Sequence, residues 1–429
     1  MSTAETALPV GPAAPRSAHR DANVLRWLAA YTASLIGDSV YFVALAWSAQ
    51  KVAGPGEVGL VMAAGAVPRA LLMLGGGVAA DRFGVRRIVL GSDAVRCVLI
   101  LAVAAGVAVT APSVWILVAL ALAFGAVDAL FVPAVGALPP RITSADQLAR
   151  VTGMRTLSMR VSQVTGPPLG GLAMGFGGAS AAFAVAGVLF ALSLPLLLTV
   201  RLRPSAGAPD GGNASAPVAQ APGSVRQDLL GGLRYIRRHR LIGPLVAVIA
   251  ISEFGLSGTL NVGMVLLNGE RGWGPSGYGW IVGGFGAGAT VGAVLLTVAG
   301  RFPRAGLTLA GTLLVGCAGA ATIALVPSLP YAVVVAAAMG LALGICGTLG
   351  SALVQTAADP AYLGRVTSVV MLTSVGLAPL SYPVVGAAIG VWGAAPVFVG
   401  CGAFGSLGVV VALGCGAVRR GELPRSPKG

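Results

Sequence analysis

The sequence predicts an all-α integral membrane protein, with twelve transmembrane helices, six on either side of a central polar linker. Three observations carry that prediction. The chain of 429 residues is 56% hydrophobic and only 10% charged, with a mean hydropathy of +0.87, whereas a soluble protein carries roughly 25% charged residues. Twelve apolar segments are long enough to span a bilayer, near 25–49, 57–80, 87–108, 113–135, 151–173, 178–200, 241–267, 276–299, 305–326, 330–352, 363–387 and 394–416. The basic residues fall in alternate loops between those segments, as the bias of Arg and Lys towards the cytoplasm requires.

Residues 1–24 are polar and rich in Ala and Pro. They lack the apolar stretch behind a basic start that marks a signal peptide, so a disordered cytoplasmic tail is expected. Residues 25–200 supply the first bundle and 241–416 the second. Loops expected in the cytoplasm carry Arg82, Arg86 and Arg87, then Arg141 and Arg150, then a basic central segment, then Arg301 and Arg304, then Arg365. Opposite loops hold little beyond Lys51 with Glu57 and Glu270 with Arg271. The tail 417–429 adds Arg419, Arg420, Arg425 and Lys428, and both termini are expected inside. Between the bundles, 201–240 is a cytoplasmic linker. Its first part is rich in Pro, Ala, Gly and Ser and reads as flexible. From Val225 to Arg240 it reads as a basic amphipathic helix on the membrane surface, with Leu229, Leu230, Leu233 and Ile236 on one side.

Composition also excludes some partners. The net charge of +14 is almost all arginine, and those arginines flank apolar spans, so topology explains them and no nucleic acid is expected. The 64 glycines suit close helix packing. Cys97, Cys317, Cys346, Cys401 and Cys415 lie in apolar runs without CxxC spacing, and His19 and His239 lie outside the spans. The cysteines read as small core residues, and neither a metal nor a cofactor is expected. Trp27, Tyr31, Trp47, Trp115, Trp273 and Trp392 fall near span ends and read mostly as an interfacial belt.

The chain is organised around Gly77-Val78-Ala79-Ala80-Asp81-Arg82-Phe83-Gly84-Val85-Arg86-Arg87, where one acid and three arginines interrupt the apolar runs. Charges this dense are expected to form a short loop between two spans. The stretch resembles the loop 2-3 signature of the major facilitator superfamily of transporters, Gly-x-x-x-Asp-Arg-x-Gly-x-Arg-Arg, with Gly77, Asp81, Arg82, Gly84, Arg86 and Arg87 at every fixed position. Gly37-Asp38, Asp93 with Arg96, Phe131-Val132-Pro133-Ala134 and Gly364-Arg365-Val366 are similar to stretches of its drug-efflux branch, which includes macrolide and siderophore exporters. That resemblance implies two pseudo-symmetric six-helix bundles around a central cavity, with spans 1 and 7 as symmetry mates.

An ionisable residue inside a span is costly unless it meets a partner or water, so each is a functional candidate. One group is expected near the cytoplasmic face: Asp81, Arg82, Arg86, Arg87, Asp93, Arg96 and Asp128. Asp93 and Arg96 form an i,i+3 pair there, and Asp128 can meet the loop arginines. The resemblance implies that this group latches the two halves and breaks when the transporter opens inward. The alternative is static pairing that fixes topology. The second group is deep: Asp38, Arg69, Arg160 and Glu253. Arg69 could pair with Asp38, and an acid held by an arginine carries protons poorly near neutral pH. Glu253 has no charged mate at mid-depth in its own half, and an isolated buried carboxylate can load and release a proton near pH 7. Glu253 is the first candidate for proton coupling and Asp38 the second; a hydrated cavity residue is the competing role.

Gly166-Pro167-Pro168-Leu169-Gly170-Gly171 in span 5 makes a kinked, tightly packed helix. It resembles the Gly-Pro-x-x-Gly-Gly core of the superfamily's antiporter motif, so Gly166, Pro167, Gly170 and Gly171 point to export. No Gly-Lys-Ser/Thr loop supports an ATP-driven pump. No HExxH or GxSxG supports an enzyme, and no filter-like repeat supports a channel. The expected protein is a monomeric, proton-coupled exporter of small lipophilic or amphipathic compounds in a bacterial plasma membrane, with its substrate, protons and the lipid bilayer as partners. A nutrient importer or facilitator of the same superfamily is the rival.

Overall fold

The computed structural model describes residues 18–110, 112–202, 225–299 and 304–421, and these are helical with no strand among them. The first half contains α1 (Ala22–Val52), α2 (Pro55–Phe83), α3 (Val85–Val109) and α4 (Val114–Gly136). A segment Leu148–Thr199 follows without interruption but turns at Gly178, whose φ of 67° and ψ of −162° are not helical. Its 52 residues would run about 78 Å as one rod, far beyond a ~30 Å hydrocarbon layer. It is therefore two spans, α5 (148–177) and α6 (179–199). The linker helix is α7 (Val225–Arg238). The second half contains α8 (Ile242–Glu270), α9 (Gly274–Ala299), α10 (Ala305–Leu325), α11 (Leu329–Ala357), α12 (Leu363–Trp392) and α13 (Ala394–Gly414). With Leu148–Thr199 divided at Gly178, twelve spans agree with the twelve apolar segments.

Local chemistry fixes several ends. The Asp21 carboxylate accepts from the Asn23 amide at 2.8 Å and starts α1, and Ser113 does the same for α4. The tail predicted for 1–24 is thus shorter: 18–20 form a 3-10 turn and α1 begins at Ala22. Residues 1–17, the first part of the linker and 422–429 lie outside the described residues.

The predicted loop at 77–87 is a correction. Helix α2 continues through Arg82 to Phe83, and α3 begins at Val85, so only Gly84 separates them. Gly84 has φ 88°, accessible to glycine and costly for other residues. Arginine is a good helix former, so the chain stays helical after it leaves the apolar layer.

One continuous apolar core runs through both halves, with Tyr41, Phe124, Phe183 and Phe190 in the first and Leu313, Leu349 and Phe398 in the second, and a further cluster around Trp27, Val89 and Phe131 belongs to the first half alone. The halves meet along two pairs of helices, α2 with α12 and α5 with α9. Spans 2 and 8, and spans 5 and 11, take equivalent places, as a pseudo-two-fold requires. Contacts of glycines across this boundary lie at or beyond mid-span, away from the arginine-bearing ends: Gly59 lies against Tyr382, Gly171 against Pro275, and Gly279 against Pro167. At the arginine-bearing end, Gly75, Gly153 and Gly364 have open space where a side chain would stand. The two halves are closed at one end and spread at the other.

Helix α7 does not lie free on a surface. Tyr235 stacks on Tyr362 with ring centres 4.5 Å apart, and its hydroxyl accepts from the Asp359 amide at 3.2 Å. Gly232 packs on Arg365 and Ile236 is buried, so the helix is docked on the turn between α11 and α12. The side chains of Leu229 and Leu230 lie outside the described residues. The aromatic belt is partial: Trp115 and Trp392 are exposed, whereas Trp27, Tyr31 and Trp47 are buried in the first half.

Candidate functional site

The first half holds one cluster of charges where the sequence suggested two groups. Arg96 on α3 is fully buried. Its Nη1 donates to Asp38 of α1 at 2.9 Å and lies 3.7 Å from Asp128 of α4. Its Nη2 pairs with Asp93, the expected i,i+3 partner. Arg69 of α2 places Nε 3.1 Å from Asp128. The expected Asp38–Arg69 pair is therefore replaced by Asp38–Arg96 and Arg69–Asp128. Asp128 meets Arg69 and Arg96, not the loop arginines. Asp93 also accepts from Ser34 at 3.0 Å and from Ser193. The Arg96 guanidinium lies 3.8 Å from the Phe131 ring centre, a cation–π contact strengthened by exclusion of water.

Depth explains the regrouping. Arg96 is eleven residues past the start of α3 at Val85, about 16 Å along the axis and near the middle of a ~30 Å layer. Counting residues gives height along a helix, but only packing gives azimuth. Four helices turn their acids and bases towards the same axis.

The loop signature sits apart from that cluster. Arg82, Arg86 and Arg87 are exposed at the open end. Arg86 donates to the Leu198 carbonyl at 2.8 Å, joining α3 to the end of α6. Gly77 and Asp81 fall within α2, and the Asp81 side chain lies outside the described residues.

The second half presents a lone carboxylate. A cavity of about 440 Å³ lies between α8 and α9–α12, lined mostly by apolar side chains, and Glu253 is the charged residue in its wall. Among the described residues Glu253 forms no hydrogen bond or ion pair. Ser252 donates to the Val248 carbonyl within its own helix, so it does not serve the carboxylate. A volume of this size is in the range of drug-sized ligand pockets, ~300–1,000 Å³. One helical stretch beyond Glu253, α8 widens into a π turn at Thr259–Gly263, a distortion frequent at functional positions.

A second, smaller pocket of about 150 Å³ lies between the halves. Tyr41, Phe42, Phe124, Arg69 and Asp128 line it from the first half, and Asn261 and Tyr382 from the second. Asn261 and Tyr382 escaped the sequence reading, although each is a polar group inside an apolar span. Arg155 on α5 escaped it too; its guanidinium lies 5.5 Å from the Tyr31 ring centre. Arg160, grouped with the deep charges, lines neither pocket and bonds to Gln163 one turn away at 3.2 Å.

The Gly-Pro-x-x-Gly-Gly stretch has two faces. Gly166 and Gly170 receive Ser39, Val40 and Val43 of α1, while Gly171 receives Pro275 and Gly279 of α9 from the other half. A β-carbon at Gly171 would stand 2.5 Å from the Pro275 carbonyl oxygen. The motif therefore joins the charge-bearing helix α1 to the boundary between the halves.

Comparison with known proteins agrees with this architecture. A family model described as Major Facilitator Superfamily matches residues 27–373. The chain is 27% identical over 356 residues to the multidrug efflux pump Tap of Mycobacterium tuberculosis (strain ATCC 25618 / H37Rv), covering 80% of this chain and 81% of that protein. Its fold is similar to the nucleoside transporter NupG, with a TM-score of 0.67 at 13% identity over 92% of this chain and 98% of that one. It is also similar to a bacterial homologue of the human lysosomal transporter Spinster in an inward-facing and occupied conformation, with a TM-score of 0.66 at 15% identity, covering 94% and 97%.

Proposed function

The chain belongs to the Major Facilitator Superfamily, and on that premise we propose that it is a proton-coupled exporter of small lipophilic or amphipathic compounds. The observation that carries this reading is Glu253, a carboxylate with no partner among the described residues in the wall of a largely apolar cavity of about 440 Å³. A lone charge in such surroundings must be neutralised by a proton or by a cation. One carboxylate cannot serve both at once, and that exclusivity is the coupling rule of an antiporter. The similarity to a multidrug efflux pump supports the outward direction.

The arginine-bearing ends face the cytoplasm of a bacterial cell by the same charge bias that set the topology, with both termini inside. The present arrangement is then open inward. Rocking of one half on the other about the α2–α12 and α5–α9 contacts gives access to the opposite side. In the outward-open state the signature residues Gly77, Asp81, Arg82, Gly84, Arg86 and Arg87 close the cytoplasmic end. The cluster of Asp38, Asp93, Arg96, Asp128 and Arg69 holds α1–α4 as one body. Arg160 has no role in coupling. The protein works as a monomer, because the core runs through both halves and the cavity lies within one chain.

The test uses purified protein in liposomes that contain a pH-sensitive dye. Lipophilic amines added outside should drive proton movement through the wild type, and Glu253→Gln should reduce it at least tenfold. Full flux in that variant would remove Glu253 from the coupling role; substrate movement without any proton flux would make the protein a facilitator.

A further inference from the structure

The cavity that holds Glu253 and the pocket that holds Arg69 adjoin, and Asn261 lines both. Glu253 is the charged side chain lining the first, whereas the second pairs Arg69 with the acid Asp128. No arginine or lysine lines the first. In the second, Arg69 has 40% of its side chain exposed. Asp128 engages its Nε at 3.1 Å, and its two terminal amino groups enter no hydrogen bond among the described residues. Those amino groups are the planar donor fork that matches a carboxylate. Asn261 donates its amide nitrogen to the Ser257 carbonyl at 2.9 Å, which leaves its side-chain oxygen as an acceptor at the junction. Glu253 and Asn261 are eight residues apart on α8, about 12 Å along the helix. A charged group entering either pocket is stabilised only by a partner of opposite sign.

We propose that the two pockets form one bipolar site for amphoteric compounds: the ammonium end lies at Glu253, the carboxylate end at Arg69, and the apolar body passes Asn261. This rests on the reading of Glu253 as the substrate's cation partner. It adds that the transported class carries an acid as well as a base, separated by a rigid apolar scaffold. Arg69 can receive the substrate carboxylate through its terminal amino groups while Nε stays on Asp128, so binding need not dismantle the charge cluster.

Three congeners on one scaffold test it: a piperazinyl quinolone carboxylic acid, its methyl ester and its N-acetylpiperazine derivative. They present both charges, the cation alone and the anion alone. Binding to the purified protein is followed by their fluorescence. The wild type should hold the free acid at least tenfold more tightly than either relative. Arg69→Gln should lower the acid to the level of the ester and leave the ester unchanged. Arg69→Lys, which keeps the charge beside Asp128 but lacks the planar fork, should narrow the preference for the acid if Arg69→Gln fails to fold. Equal wild-type affinity for acid and ester overturns the bipolar site alone. An Arg69→Gln variant that weakens acid and ester alike also overturns it, since Arg69 then acts through the cluster. Ester binding that survives Glu253→Gln overturns the underlying reading of Glu253.

Discussion

In the first half, five ionisable side chains from four helices are tied together around Arg96, which reaches Asp38, Asp93 and Asp128. The second half sets one carboxylate in its cavity wall, Glu253, with no mate there. The two halves share a fold and the placement of their gating helices, yet they hold buried charge in opposite ways. A buried charge with partners on every side is part of the scaffold, because losing any partner strands the others. A half-buried charge that faces a cavity without a partner contributes little to the scaffold and is free to take a proton or a ligand. On the proposed reading, the residues packed around Arg96 hold the transporter together, Glu253 does its chemistry, and the half-exposed Arg69 at the edge of the cluster serves both, a contrast that can be broken by substitution.

The largest effect is expected at Arg96. Arg96→Gln leaves three carboxylates facing one another with only Arg69 nearby, and removal of one member of a buried ionic set costs about 3–5 kcal/mol. The folded yield should collapse, read as loss of the monodisperse peak and a lower melting temperature in detergent. A variant as stable as the wild type would show that the cluster is not structural. Next comes Gly171→Val, which drives a side chain into the Pro275 backbone. Overpacking of this kind costs about 1–3 kcal/mol, and because the contact crosses the boundary between halves, transport in liposomes should slow by more than its stability loss explains. Tyr235→Ala removes the stack on Tyr362, worth about 0.5–1.5 kcal/mol beyond buried area. Limited proteolysis should then cut the linker sooner while the bundles stay intact. Glu253→Gln should change stability by no more than about 0.5 kcal/mol, because Gln keeps the shape and no ion pair is lost, although proton flux falls at least tenfold. A large fall in its melting temperature would erase the contrast between the halves. Arg160→Ala should change neither stability nor flux, since its visible bond is to Gln163.

Much of the architecture was legible because the signals are local. Hydropathy marks each span, and the arginine pattern follows the loops. Glu253 stood out for the same reason: a lone acid in an apolar run needs no knowledge of neighbours. Pairing was not legible. Asp38, Arg69, Asp93, Arg96 and Asp128 were sorted by height along their helices, whereas packing decides which of them turn towards a common axis. The π turn at Thr259–Gly263 left no mark in the sequence, so the exposure of Asn261 between two pockets could not be read from it. The loop at 77–87 was misjudged because a stop in hydropathy is not a stop in helix.

That last correction has a mechanical side. Gly84 accepts the final bond role of one helix and the first of the next: its amide donates to Ala80 at 3.0 Å and its carbonyl accepts from Ile88 at 3.2 Å. Between α2 and α3 there is accordingly no slack, only the two soft torsions of one residue. Helix α2 leans on the other half through Gly59 and Tyr382, and α3 carries Asp93 and Arg96. The pair is a bell crank: a tilt imposed on one arm is delivered to the other as rotation about a single pivot. Lengthening the pivot with a few glycines would pass that load to the Arg69–Asp128–Arg96 bridge, the ionic tie between the arms.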